Sequence, residues 1–148
     1  MPEQLPPPPS AFRFAIPPLR LGLFDLGGVL HHANYLGIFE QTREAFLSEQ
    51  GLPYQMLAEK RQHLAVREFT QRFDAPIFYG EKLQVAMWVS ELKKSSLNVQ
   101  YAIYKQDAPV PAHRASSLLC FVEEKEAILK PGRIPQELLE IFTGILDR

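Results

Sequence analysis

Between Asn34 and Val122 the spacing of apolar residues changes once, and that change limits the fold. From Tyr35 the positions Ile38, Phe39, Thr42 and Phe46 recur at helical spacing, flanked by Leu36, Arg43 and Leu47. Glu40 and Glu44 fall on the other side. The spacing predicts one long amphipathic helix from about His32 or Asn34 to Gln50. Gly51 stops it and Pro53 follows, where a short second helix through Glu59 can open. From Gln62 the period is two. Leu64 and Val66 share one parity and Phe69 and Phe73 the other, so a bulge is expected near Arg67-Glu68. Leu83, Val85, Met87 and Val89 alternate with polar residues, as do Leu97, Val99, Tyr101 and Ile103. Ala115 to Val122 is apolar on both parities, as in a central strand covered on both faces.

The connections between these strands are short, so they pair antiparallel. A further strand, Phe12 to Ile16, precedes the helix, and Leu19 to Phe24 can continue it. Pro17 and Pro18 interrupt the ladder, so this strand lies at an edge or is bulged. A last helix runs from Pro135 to about Leu146. The expected fold class is α+β, with about five antiparallel strands curled around one long helix.

A chain of 148 residues that is 46% hydrophobic fits one domain with a core of its own. Seven of its 13 prolines lie in the first eighteen residues, and residues 1–11 are expected to be a disordered, extended and mobile proline-rich tail. The folded domain is then 12–148. Prolines 6 to 9 stand where a signal peptide would be apolar, and no stretch reaches the ~18–20 apolar residues of a membrane span. Net charge is -1, which gives no basic excess for nucleic acid. The single cysteine, Cys120, excludes an intrachain disulfide, and no Cys/His cluster has zinc spacing. These features point to a cytoplasmic protein with no metal.

The chemistry concentrates in Phe24-Asp25-Leu26-Gly27-Gly28-Val29-Leu30-His31-His32-Ala33-Asn34-Tyr35. A carboxylate is followed by two glycines and then a helix start, whose first N–H groups lack intrahelical partners and carry partial positive charge. Taken alone, an Asp before Gly-Gly is turn chemistry, the two histidines are loop residues, Asn34 is a helix-starting residue and Tyr35 is core.

Three separated elements resemble the 4-hydroxybenzoyl-CoA thioesterase-like acyl-CoA thioesterases, which have the hot-dog fold. The first is Asp25, Gly28, Val29, Leu30, His31, His32, Asn34, Tyr35 with Phe39-Glu40. The second is Ala75-Pro76-Ile77-Phe78-Tyr79-Gly80-Glu81-Lys82-Leu83. The third is Lys130-Pro131-Gly132-Arg133-Ile134-Pro135-Gln136-Glu137-Leu138. His31 stands where the family usually has Tyr or Phe, and Leu23 where one branch has a second acid.

The resemblance implies a thioester hydrolase acting on acyl-CoA, with coenzyme A as part of the substrate rather than a cofactor. Asp25 would attack the carbonyl or activate water, and both routes stay open. The backbone N–H of His32 would hold the oxyanion, a contact typically worth about 3–4 kcal/mol in the transition state. Gly27, Gly28, His31, Asn34 and Tyr35 would border the substrate, and Lys93 and Lys94 would meet the coenzyme A phosphates. An acyl carrier protein is an alternative thiol carrier. A homodimer or homotetramer is implied. The same fold also hosts 3-hydroxyacyl-thioester dehydratases, whose H-F-x-G-type loop is missing here, and a non-catalytic thioester-binding protein is the third reading.

Overall fold

The computed structural model describes residues 3–148; Met1 and Pro2 lie outside the described residues. Strand β1 is Phe12–Ala15, followed by helix α1, Tyr35–Glu49, and helix α2, Tyr54–Glu59. Then come β2 (Gln62–Phe73), β3 (Leu83–Leu92), β4 (Ser96–Lys105), β5 (His113–Lys125), β6 (Ile128–Pro131) and helix α3 (Gln136–Thr143). The strands form one six-stranded antiparallel sheet in the order β1-β3-β4-β5-β2, with β6 beside the far end of β5. This is the expected α+β, hot-dog arrangement, with one strand more than the periodicity showed.

Helix α1 buries Tyr35, Ile38, Phe39, Thr42, Phe46 and Leu47 against the sheet. Thr42 satisfies its buried hydroxyl on the Ile38 carbonyl at 2.8 Å. The helix stops because Gly51 takes φ +80°. The Gly51 N–H then bonds the Ser48 carbonyl, and the Leu52 N–H bonds that of Leu47, which satisfies carbonyls the helix leaves open. The inner sheet face supplies Val85, Met87, Val89, Val99, Tyr101, Ile103, Leu119 and Phe121, all buried.

Several elements differ from the expectation. Leu21–Leu23 is a 3-10 turn instead of a continued strand, since Pro17 and Pro18 end the ladder. The bulge in β2 falls between Val66 and Glu68 as the parity slip required. A second one, between Val89 and Glu91, carries β3 on to Leu92. On β5, alternate residues from His113 to Phe121 are buried, and the outer ones are only half-covered.

On the outer face Ala86 and Trp88 are buried, although that parity of β3 was expected to be polar. Part of the cover is the segment expected to be a mobile tail. Residues 3–11 lie on this face, where Ala11 packs in a cluster with Ala86, Trp88 and Ala102. The Gln4 amide reaches the Gln100 side chain at 3.2 Å and the Tyr101 and Ala115 carbonyls at 3.1 Å. A proline-rich segment has little backbone entropy left to lose on docking. No described helix is long and apolar enough to cross a membrane.

Candidate active site

The Asp25 loop is a tight reversal between the bridge partners Phe24 and Leu30. The Asp25 N–H donates to the Val29 carbonyl at 2.9 Å, and its carbonyl accepts the Gly28 N–H at 3.0 Å. Its side-chain Oδ1 accepts the N–H of Gly27 at 2.9 Å and of Val29 at 3.1 Å. Gly28 sits at φ +77°, where an L side chain is strained, and a Cβ on Gly27 would come within 3.4 Å of Oδ1. The Gly27 contact is an ordinary one, so it is Gly28 that lets the backbone wrap around the carboxylate. Oδ1 is committed to this turn. Oδ2 makes no hydrogen bond among the described residues, and Asp25 is exposed.

Two neighbours hold the loop. The Leu30 N–H donates to the Ile77 carbonyl at 2.7 Å, and the Tyr79 N–H donates to Gly28 at 3.0 Å. The Leu23 carbonyl accepts both the His31 N–H at 3.1 Å and the Asn34 side-chain amide at 2.7 Å. Asn34 thus ties the start of α1 to the chain just before Asp25. The His31 ring caps the short 3-10 turn His32–Asn34, with Nδ1 accepting the Ala33 N–H at 3.1 Å. The His32 backbone N–H makes no hydrogen bond among the described residues. An uncommitted carboxylate oxygen and an uncommitted N–H therefore belong to one braced unit.

Tyr35 is in the core. Its ring stacks on His113 at 4.0 Å between centroids and meets Phe73 edge-on at 5.1 Å. Lys93 and Lys94 are not brought to Asp25 within the chain. They form the β3–β4 turn, where Lys93 pairs with Glu91 at 3.5 Å. Tyr79 leads into the opposite end of β3, so the ten residues of that strand intervene, roughly 30 Å at the usual rise.

Periodicity did not single out three features near the loop. Glu81 accepts the Phe78 N–H at 2.7 Å and pairs with Lys105 at 3.1 Å, which closes the 78–81 turn. Leu26, Phe78 and Tyr79 leave apolar surface exposed around Asp25. His113 is fully buried with both ring nitrogens unpartnered, and burial pushes its pKa down to about 4. His113 lay just outside the apolar run read as a strand, so only its partners could have marked it. Among the described residues no group of three His, Cys, Asp or Glu side chains is gathered to hold a metal ion.

The sequence profile of the Thioesterase-like superfamily matches residues 19–142. The chain belongs to the Thioesterase-like superfamily. The match begins after β1 and takes in the Asp25 loop, α1, the 75–83 segment and the 130–138 segment. Among relatives in this superfamily, the acyl-CoA thioester hydrolase YbgC of Escherichia coli O157:H7 is 25% identical over 118 residues, covering 80% of this chain and 86% of that one. The 1,4-dihydroxy-2-naphthoyl-CoA hydrolase of Gloeothece citriformis is 30% identical over 88 residues, covering 59% of this chain and 62% of that one. A thioesterase-superfamily structure from Jannaschia sp. superposes with TM-score 0.85 over 99% of this chain and 100% of its own, at 15% identity, a likeness of fold alone.

Proposed function

We propose that the chain is an acyl-CoA thioesterase that releases a free acid and coenzyme A, with Asp25 and the His32 N–H as its working groups. The observation that carries this reading is the pairing of a free carboxylate oxygen with a free backbone donor in one braced loop. Membership of the superfamily and the thioester-hydrolase names of the relatives support it.

In one route Asp25 Oδ2 bonds to the thioester carbonyl carbon. The oxygen that gains charge is held by the His32 N–H, the C–S bond breaks, and the coenzyme A thiolate leaves and takes a proton from water. Water then cleaves the mixed anhydride and restores the carboxylate. In the other route Oδ2 takes a proton from a water that attacks the same carbon, the C–S bond breaks, and the departing coenzyme A thiolate takes that proton, which restores the carboxylate. Both demand a fixed carboxylate, which the Oδ1 bonds supply.

The active assembly is a homodimer formed along β2. This twelve-residue strand pairs with β5 on one edge only and exposes Val66 and Phe73, a surface that proteins rarely leave uncovered. A tetramer would add a second interface to that pair.

Asp25→Asn tests the assignment. Asn keeps an acceptor for Gly27 and Val29, so the turn and the melting temperature survive. Thioester hydrolysis across an acyl-CoA panel should fall by about 10²–10⁴-fold. Asp25→Ala also loses both turn bonds and should cost about 1–2 kcal/mol of stability. Free thiol released by Asp25→Asn at the wild-type rate would refute the reading. Hydration of crotonyl-CoA without thiol release would identify a dehydratase instead.

A further inference from the structure

The outer face of the sheet, turned away from α1, has the make-up of a contact surface. Strand register sets Ala86 opposite Ala102 and Trp88 opposite Gln100. Gln100 in turn faces Ser116, and Asn98 faces Leu118. Trp88 and Tyr104 stand beside the small side chains of Ala86 and Ala102. The outward positions of β3 from Gln84 to Trp88, of β4 from Asn98 to Tyr104 and of β5 from Arg114 to Cys120 carry one charge. That charge is Arg114, and Asp74 holds it at 2.8 Å. The polar groups bond one another, since the Gln100 amide donates to the Ser90 hydroxyl at 3.1 Å and the Ser116 hydroxyl at 2.9 Å. A face with its charge paired and its amide satisfied loses little when water leaves it.

Residues 3–11 cross this face on few attachments. At one end the Gln4 amide donates to the Gln100 side chain and to the Tyr101 and Ala115 carbonyls. At the other, Ala11 packs with Ala86, Trp88 and Ala102. Between them Leu5, the largest apolar side chain of the segment, is 69% exposed, and Pro6 and Pro9 face solvent. A cleft of about 190 Å³ stays open where Leu5 passes Trp88, Gln100 and Ser116. Farther along β5, Leu118 and Cys120 are only half-covered. The segment shields Trp88 without filling the face, so it is a removable layer rather than a part of the core.

Strands β2 to β5 hold between ten and thirteen residues each. At the usual rise and strand spacing they present roughly 600 Å² of face. This approaches the ~800 Å² that each partner gives to a standard interface. Large side chains next to small ones let such a face interlock with itself across a two-fold axis. We propose that the outer sheet face is a contact surface for a second copy of this chain, and that residues 3–11 are a built-in cover that keeps the second copy off. This surface is separate from the β2 edge.

The test compares the full chain with a chain beginning at Ala11. Sedimentation equilibrium reads the mass, and acrylamide quenching of Trp88 reads the face. The full chain should keep one mass across the micromolar range. The shorter chain should double that mass with a midpoint of about 1–10 µM. Below the midpoint its Trp88 is open to quencher. Above it Trp88 should be shielded again, because the second copy takes the place of the cover. Ala102→Glu in the shorter chain sets an unpaired charge in the middle of the face, so doubling should vanish and Trp88 should stay open throughout. Gln4→Ala in the full chain only loosens the cover and should double at a concentration about tenfold higher than the shorter chain.

A shorter chain of unchanged mass with Trp88 open overturns the proposal. So does doubling that persists in the Ala102→Glu variant, or that the full chain shows at the same midpoint. If the shorter chain does not fold, Gln4→Ala decides alone, and a mass that never changes refutes the cover. Mass and quenching are read without turnover, so the outcome stands whether or not the chain hydrolyses a thioester.

Discussion

His113 makes the core of this protein sensitive to mild acid. The side chain is 0% exposed and neither ring nitrogen has a hydrogen-bond partner. It is packed between aromatic rings, with Tyr35 stacked at 4.0 Å, Phe39 at 5.8 Å and Phe73 edge-on at 4.7 Å. Burial disfavours the imidazolium and pushes the pKa from 6.5 to about 4, against a weaker opposite pull from the Asp74 carboxylate. The unfolded chain therefore binds the proton more readily than the folded one between those values. The stability that His113 leaves intact above pH 6.5 is lost as pH falls toward 4. With 1.36 kcal/mol per pKa unit, the loss is about 3 kcal/mol. That is a large share of the ~5–15 kcal/mol of an ordinary domain.

The perturbation that isolates this effect is His113→Leu. It removes two unpartnered polar atoms, worth about 1–3 kcal/mol, and loses ring stacking worth about 0.5–1.5 kcal/mol. At pH 7.5 the variant should stay within about 1–2 kcal/mol of wild type. By pH 4.5 its stability relative to wild type should have improved by about 2–3 kcal/mol. Urea unfolding followed by circular dichroism from pH 7.5 to 4.5, at one protein concentration, reads both. Asp74 does not confuse the window. Burial tends to raise its pKa, but hydrogen bonds and charge from Arg114 and Arg72 outweigh that and lower it below 3.8. Its contribution disappears only at lower pH. Parallel pH profiles for wild type and His113→Leu would refute the reasoning.

Asn34→Ala removes the 2.7 Å bond between α1 and the Leu23 carbonyl. It should lower kcat by about tenfold or more with little change in KM, at a stability cost of about 1 kcal/mol. Steady-state kinetics and a melting curve decide it, and an unchanged kcat would mean that α1 needs no such tie. A chain beginning at Ala11 lacks the segment that crosses the outer sheet face. Its one tryptophan, Trp88, is only 1% exposed in the full chain, so truncation should red-shift the emission and open it to acrylamide quenching. A melting temperature lower by about 4 °C should accompany the shift. Unaltered quenching would show that residues 3–10 do not cover Trp88.

Features whose partners lie close in the sequence were the legible ones. The end of α1 could be read from Gly51 because the carbonyls that the Gly51 and Leu52 N–H groups satisfy are within five residues. The bulge in β2 could be read because one extra residue reverses the parity of everything after it. The Asp25 turn was legible for the same reason, since its side chain bonds residues two and four positions on. Strand β6 was not, because Ile128 to Pro131 is exposed throughout and is ordered by pairing with the end of β5, not by burial of its own.

The same distinction separates the two sets of lysines. From the sequence, Lys93 and Lys94 are a basic turn near a motif. In the fold the ten residues of β3 hold them at the far end of the sheet. Lys82 belongs to the 75–83 motif and sits just before β3 begins, next to the turn that braces Asp25. Arg13 joins it only because β1, almost seventy residues earlier, pairs with β3 in a register that sets Arg13 opposite Ala86. A cleft assembled by strand register leaves no local pattern, so the carboxylate and its turn could be found by reading along the chain, while the grouping of Arg13 with Lys82 required the sheet.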